Sequence, residues 1–226
     1  MRGFGATLAG GCAVGGGGER TMRVEIALIG LSYFLGAIPL GLLFAWCKGV
    51  DIRKVGSGNI GATNVFRCVS KPLGIATFVG DAVKGFVPAF FFPMIGKYFL
   101  QAEPGSWLGI LCGCAAIAGH NWPVYLGFKG GKGVSTSAGM LIGIAPAAAG
   151  IGFLAWGLLV GVTRYVSAAS IGAAAVVPAA GWWLYAKDGL LLPIVLTVLG
   201  GLVIWKHRAN IRRLMRGEEH RFGRKI

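Results

Sequence analysis

The sequence predicts an all-α integral membrane protein with seven transmembrane helices, amino terminus outside and carboxyl terminus cytoplasmic. Three observations lead there. The 226 residues are 55% hydrophobic and 13% charged, with a mean hydropathy of +0.69, which is more apolar surface than one soluble core can bury. Apolar runs of about 20 residues, enough to cross roughly 30 Å of hydrocarbon, recur along the chain. Lys and Arg gather in a few of the polar stretches between those runs and leave the others nearly neutral. The runs are helices because lipid leaves an open strand's backbone groups unsatisfied, and the 40 glycines suit close helix packing there.

Residues 1–21 form a Gly-rich extension with only Arg2 near its front, a poor match to a cleaved signal peptide. Disorder is expected there, with Met22 as an alternative start, and 22–226 reads as a single membrane domain. The first apolar segment, 24–47, leads into a stretch carrying Lys48, Arg53, Lys54, Arg67 and Lys71, which belongs on the cytoplasmic side. The second, 73–99, ends in an outer turn where Lys97 and Glu103 balance. The third, 106–127, returns to cytoplasmic Lys129 and Lys132. The run 134–163 holds Ala145-Pro146 near its middle and reads as one long tilted helix or two short ones. A cytoplasmic Arg164 requires the two short ones. Segments 168–186 and 189–205 flank the outer pair Lys187 and Asp188, and 206–226 adds eight basic residues on the cytoplasmic side.

Four polar stretches carry candidate chemistry. Gly56-Ser-Gly-Asn-Ile-Gly-Ala-Thr-Asn64 contains a literal G-x-G-x-x-G, but a membrane helix precedes it where a dinucleotide fingerprint needs a short strand. What remains is a phosphate loop: Gly58 and Gly61 to expose backbone N–H groups, with Ser57, Asn59, Thr63 and Asn64 as neutral donors and Arg67 as the charge. His120 and the run Lys129-Gly130-Gly131-Lys132-Gly133 narrowly miss a Walker loop, since Leu126 occupies the required glycine position. Lys132 is read as a phosphate contact; Lys129 is as readily a solvated lysine, and His120 either a titratable group or an interfacial structural one. Ser167 and Ser170 share a face at a helix start, as caps or as part of an anion site. His207 and Asn210 share a face where the last span meets a polybasic end suited to anionic lipid. Asp81 and Lys84, i and i+3 inside an apolar segment, are expected to pair and support the site.

The five cysteines show neither C-x-x-C nor zinc spacing and read as packing residues. Asp51, Asp81 and Glu218 form no ligand grouping. No metal, cofactor or nucleic acid is expected; membrane lipids are.

Together, GSGNIGATNxxR, GHxxP with FKGGKG, RYxSxxS and KHRxNI followed by RLMRGEEHR resemble the bacterial membrane acyl-phosphate:glycerol-3-phosphate acyltransferases over residues 24–222. The resemblance implies a seven-helix inner-membrane enzyme with a cytoplasmic site, which transfers a fatty acyl group from acyl phosphate to the 1-hydroxyl of glycerol 3-phosphate. It implies that Ser57, Arg67, Lys132, His207 and Asn210 line the substrate site and that Ser170 lies near the acyl phosphate. The residues add that Arg67 and Lys132 would neutralise phosphate, that backbone amides near 58–61 would form a pocket for it, and that the helices would hold the acyl chain. An acyl phosphate is an activated anhydride, so direct attack by the glycerol hydroxyl, with a phosphate oxygen taking the proton, needs little acid–base help. No H-x-x-x-x-D pair is present: Tyr125 stands fifth after His120 and Arg212 fifth after His207. The alternative reading is a transporter or channel for phosphate or its esters, which basic glycine loops beside membrane helices would also suit.

Overall fold

Pro, Gly and Ser punctuate the apolar runs and set where several of the helices begin. The structure, a computed structural model, describes residues 16–102, 105 and 107–223. Among these the helices are α1 (Gly16–Ala37), α2 (Leu40–Trp46), α3 (Ala62–Cys68), α4 (Lys71–Met94), α5 (Leu108–Asn121), α6 (Val134–Ile144), α7 (Pro146–Thr163), α8 (Val166–Tyr185), α9 (Leu191–Lys206) and α10 (Arg208–Met215), with no strand. Ser70 caps α4 by accepting the amide of Leu73 at 3.3 Å. Pro39 breaks α1 from α2, and α4 runs on into a π-helical turn, Ile95–Phe99. The run 134–163 divides at Ala145, because Pro146 lacks an N–H and pushes the residue before it out of helical geometry. The last apolar run bends by 55° at His207, between α9 and α10.

Residues 1–15 of the Gly-rich stretch lie outside the described residues, and 16–21 form the first turns of α1.

Gly17–Trp46, Lys71–Phe99, Pro146–Thr163 and Val166–Asp188 are each long and apolar enough to cross a membrane, and α9 with α10 makes a fifth if the bent pair is one span. Seven crossings do not follow from length alone. The 14 residues of α5 and 11 of α6 extend only about 21 and 16 Å. Packing holds these short helices. Gly139 of α6 lies against the carbonyl of Ala82 in α4, and Gly85 of α4 lies against that of Thr136, so the two backbones touch. The α1 side chain of Tyr33 donates to the carbonyl of Trp122, just past α5, at 2.7 Å. Large apolar side chains such as Val162 and Trp183 stand exposed on the outer surface, as lipid-facing positions do.

Two features shape the end of the bundle that carries the polar loops. Ile52, Ile60 and Val65 pack on Leu42 and Ala45, folding the 48–61 stretch and α3 beneath α2. Inside, Lys84 pairs with Asp81 at 2.8 Å and donates to the carbonyl of Ile38 at 2.8 Å, joining α4 to the α1–α2 break.

Candidate active site

The loop at 55–64 is built around Asn64. Gly56 and Gly58 adopt φ of +59° and +67°, which turns the chain back over α3. The buried Asn64 amide accepts from the Ser57 N–H at 3.1 Å and donates to the carbonyls of Val55 at 3.1 Å and Asn59 at 2.9 Å. The Gly58 N–H donates to Val55 and the Gly61 N–H to the Asn59 side chain. These bonds direct two of the amides near 58–61, those of Gly58 and Gly61, into the loop itself, because a short loop holds its shape by satisfying its own backbone groups. What it offers outward is side chains, chiefly Ser57, Thr63 and Arg67. Among the described residues the Arg67 guanidinium has no ion-pair partner.

The second loop supplies Lys132. Gly130 and Gly131 lie directly against His120, and a Cβ at Gly131 would overlap its imidazole. These glycines therefore leave room for a neighbouring side chain instead of baring amides to a ligand. His120 Nδ1 stands 3.6 Å from the Asp81 carboxylate that Lys84 neutralises, a long-range grouping invisible to sequence spacing. Lys129 is exposed to solvent, whereas Lys132 turns inward and donates to Asn210 Oδ1. Burial pushes Lys132 down to about 8; Glu219 opposes that fall while Arg213 and Arg67 add to it.

The carboxyl-terminal end closes the site. At the α9–α10 bend, His207 Nδ1 lies 2.8 Å from the carbonyl of Val203. A carbonyl only accepts, so Nδ1 carries the hydrogen and Nε2 is left as an acceptor. Glu219 draws three groups together: Asn210 Nδ2 at 2.8 Å, Ser167 Oγ at 3.0 Å and Arg213 Nε at 2.7 Å. Burial raises its pKa, but these hydrogen bonds prevail and hold it below the ordinary glutamate value. Lys132, Asn210 and Glu219 thus link the α5–α6 loop, α10 and the tail.

These loops surround a polar cavity of about 130 Å³. Beside it, between α6, α7, α8 and α9, lies an almost wholly apolar cavity of about 420 Å³. The two share Phe78, Val134, Trp156 and Ser170 in their walls. A charged chamber sharing a wall with an apolar one suits a ligand with a charged head and an apolar tail.

A family model described as glycerol-3-phosphate acyltransferase matches residues 26–217. The chain belongs to the glycerol-3-phosphate acyltransferase family. It is 45% identical over 203 residues to the Geobacter sulfurreducens protein of that name, covering 89% of this chain and 99% of that one. Among solved structures it resembles the crystal structure of PlsY, an integral membrane glycerol 3-phosphate acyltransferase, in its glycerol 3-phosphate form: TM-score 0.79, 40% identity, 88% of this chain and 96% of that one. The lysophosphatidic acid form gives a TM-score of 0.75 at the same identity, covering 88% and 95%. With these relatives and its apolar helices, the chain is membrane-embedded.

Of the acyltransferase residues expected from sequence, Ser57, Arg67, Lys132, His207 and Asn210 all line the one polar cavity. So do Asn59, Gly61, Thr63, Asn64, His120, Gly133 and Ser170. Gly58, Lys129, Gly130 and Gly131 do not. Sequence reasoning missed Glu219 and Trp156. Glu219 stood inside the quoted string RLMRGEEHR without a role, and nothing near Trp156 set it apart from an ordinary membrane tryptophan.

Proposed function

We propose that this chain transfers a fatty acyl group from acyl phosphate to the 1-hydroxyl of sn-glycerol 3-phosphate. The products are 1-acylglycerol 3-phosphate and inorganic phosphate, in the first acylation step of phospholipid synthesis. The observation that carries this reading is the junction of the two cavities: a donor whose anionic head and apolar tail flank its reacting carbon needs both chambers and a continuous wall between them. Family membership supports the acceptor and speaks against the transporter alternative.

Arg67 and Lys132 neutralise phosphate, joined by the first-turn amides of α6, which have no acceptors within their own helix and begin beside Lys132. Ser57, Asn59, Thr63 and Asn210 add neutral hydrogen bonds, and Glu219 fixes Asn210. His207 Nε2 accepts from the 2-hydroxyl of glycerol 3-phosphate and so orients the 1-hydroxyl towards the acyl carbon, leaving that group's own hydrogen free. The hydroxyl oxygen attacks directly and its proton passes to a phosphate oxygen. A covalent acyl-serine at Ser57 lacks support, because its hydroxyl has neither histidine nor carboxylate as a partner among the described residues.

The polar stretches at 48–70, 122–133, 164–165 and 207–223 converge on one cavity. That convergence supports seven crossings: α1 with α2 as the first, then α4 and α5, α6 and α7, and α8 and α9 as outward and return pairs. The basic residues support a cytoplasmic position for this end, with the amino terminus outside, in a bacterial inner membrane. Residues 22–226 then form one membrane domain.

Purified protein in detergent, given acyl phosphate and glycerol 3-phosphate, should release phosphate and lysophosphatidate in equal amounts, and phosphate release should depend on the acceptor. Product formed equally well from acyl-CoA or acyl carrier protein would reject the donor assignment; no product from any donor, with phosphate flux in liposomes, would reject the enzyme.

A further inference from the structure

If the two chambers hold the two ends of an acyl phosphate, its reacting carbon has one place to sit. The carbonyl carbon is bonded to the bridging phosphate oxygen on one side and to the first methylene on the other. It must lie in the ring where the chambers meet, formed by Phe78 of α4, Val134 of α6, Trp156 of α7 and Ser170 of α8. Only two of these side chains carry a polar hydrogen. Ser170 Oγ donates to the carbonyl of Val166 at 2.9 Å, so its hydrogen is committed to the preceding turn. Trp156 Nε1–H donates to that same Ser170 Oγ at 3.2 Å, longer than the usual 2.9–3.0 Å or so for such a bond. The indole N–H is therefore the directed donor of the ring, anchored by a serine and loosely enough held to be shared with an incoming oxygen.

We propose that Trp156 is a catalytic residue of the acyl transfer: its indole N–H hydrogen-bonds the acyl carbonyl oxygen and stabilises the negative charge that develops there. Ser170 is the positioning residue that holds the ring. The proposal rests on the acyl-phosphate reading of the site. In the step it assists, the acceptor oxygen forms a bond to the carbonyl carbon while the carbonyl π pair moves onto oxygen, towards the indole N–H. Collapse restores the C=O bond and breaks the bond to the bridging oxygen, which leaves with the electron pair as phosphate. The hydroxyl proton ends on that phosphate, so acyl phosphate dianion and alcohol become ester and hydrogen phosphate dianion. An indole N–H suits this place: it only donates, it does not titrate, and in the low dielectric of the apolar wall a fixed donor acts more strongly than in water.

The test is steady-state kinetics of the full chain in detergent with palmitoyl phosphate and glycerol 3-phosphate. Trp156→Phe keeps an aromatic ring and removes the donor. It should lower kcat by roughly 10²- to 10³-fold, with both KM values within about twofold of wild type and the shape of the pH profile unchanged. Ser170→Ala should lower kcat less, and the double variant should be no worse than Trp156→Phe, because the two act as one unit. Wild-type kcat in Trp156→Phe would overturn the proposal and leave the carbonyl to a backbone amide of α6. A loss confined to the donor KM and varying with acyl-chain length would overturn it too, since that marks a mere wall. Should Trp156→Phe fold poorly, the wild-type chain still decides: the Trp156 indole N–H resonance should move downfield on binding an acyl phosphonate, and a resonance that does not move sinks the idea. Absence of wild-type turnover with acyl phosphate overturns the underlying reading and the proposal with it, whereas turnover with an equally active Trp156→Phe overturns the proposal alone.

Discussion

Lys132 is the titratable one of the two cations, with Arg67, that the proposed function sets against phosphate in the polar cavity. Its ammonium is held below the ordinary lysine value by burial, down to about 8, so it is protonated below that pH and neutral above it. A phosphate dianion binds the charged form. Affinity for the anionic substrates should therefore fall as pH rises through about 8. The expected measurement is a KM that climbs on the alkaline side, with a limb displaced upward in Lys132→Arg, whose charge does not titrate there. Lys132→Ala should lose roughly ten- to a hundredfold in kcat/KM across the whole range, the size of one hydrogen bond to a charged group. A wild-type KM flat to pH 9.5 would contradict a lysine contact to phosphate. At this scale the sequence shows which residue types are present but not their partners. Asn64 and Ser57 both read as donors to a ligand, and only the folded loop turns the Asn64 amide inward to hold the turn while leaving the serine outside. His120 had no acid at the expected spacing, and Asp81 reaches it from another helix.

Between helices, the decisive contacts are glycines. Gly139 has no room for a side chain against the carbonyl of Ala82, whereas Gly150 in α7 has nothing within 4 Å of a would-be Cβ. Gly139→Ala should separate α6 from α4 and destabilise the fold by about 1–3 kcal/mol, read as a lower thermal midpoint in detergent with reduced activity, because Lys132 and Gly133 enter α6 directly. Gly150→Ala should stay within about 0.5 kcal/mol of wild type. Equal effects at the two sites would mean that close backbone approach is not what holds α6. The division at Ala145-Pro146 was legible in sequence, because proline acts on its own helix. The shortness of α5 and α6 was not. Hydropathy counts apolar residues, and the 106–127 run continues past the helix into Trp122, Pro123 and a one-turn helix at Val124–Leu126.

For the whole molecule, the proposed topology puts Lys129 and Lys187 on opposite faces. On a background lacking the native cysteines, Lys187→Cys should react with a membrane-impermeant maleimide in intact cells, and Lys129→Cys only after lysis. The reverse pattern would overturn the orientation. The sequence by itself determined that the chain is a helical membrane protein, which polar stretches carry its chemistry and which family it resembles, because hydropathy, charge bias and short motifs are local properties of the chain. The tertiary structure alone decided that these stretches meet at one cavity, that Glu219 organises Asn210, Ser167 and Arg213, that Gly130 and Gly131 make room for His120, and that an apolar chamber lies beside the polar one at Trp156 and Ser170. Those are contacts between residues far apart along the chain, 78 positions in the case of Lys132 and Asn210. They depend on how the helices pack, a property that no single stretch of the sequence carries.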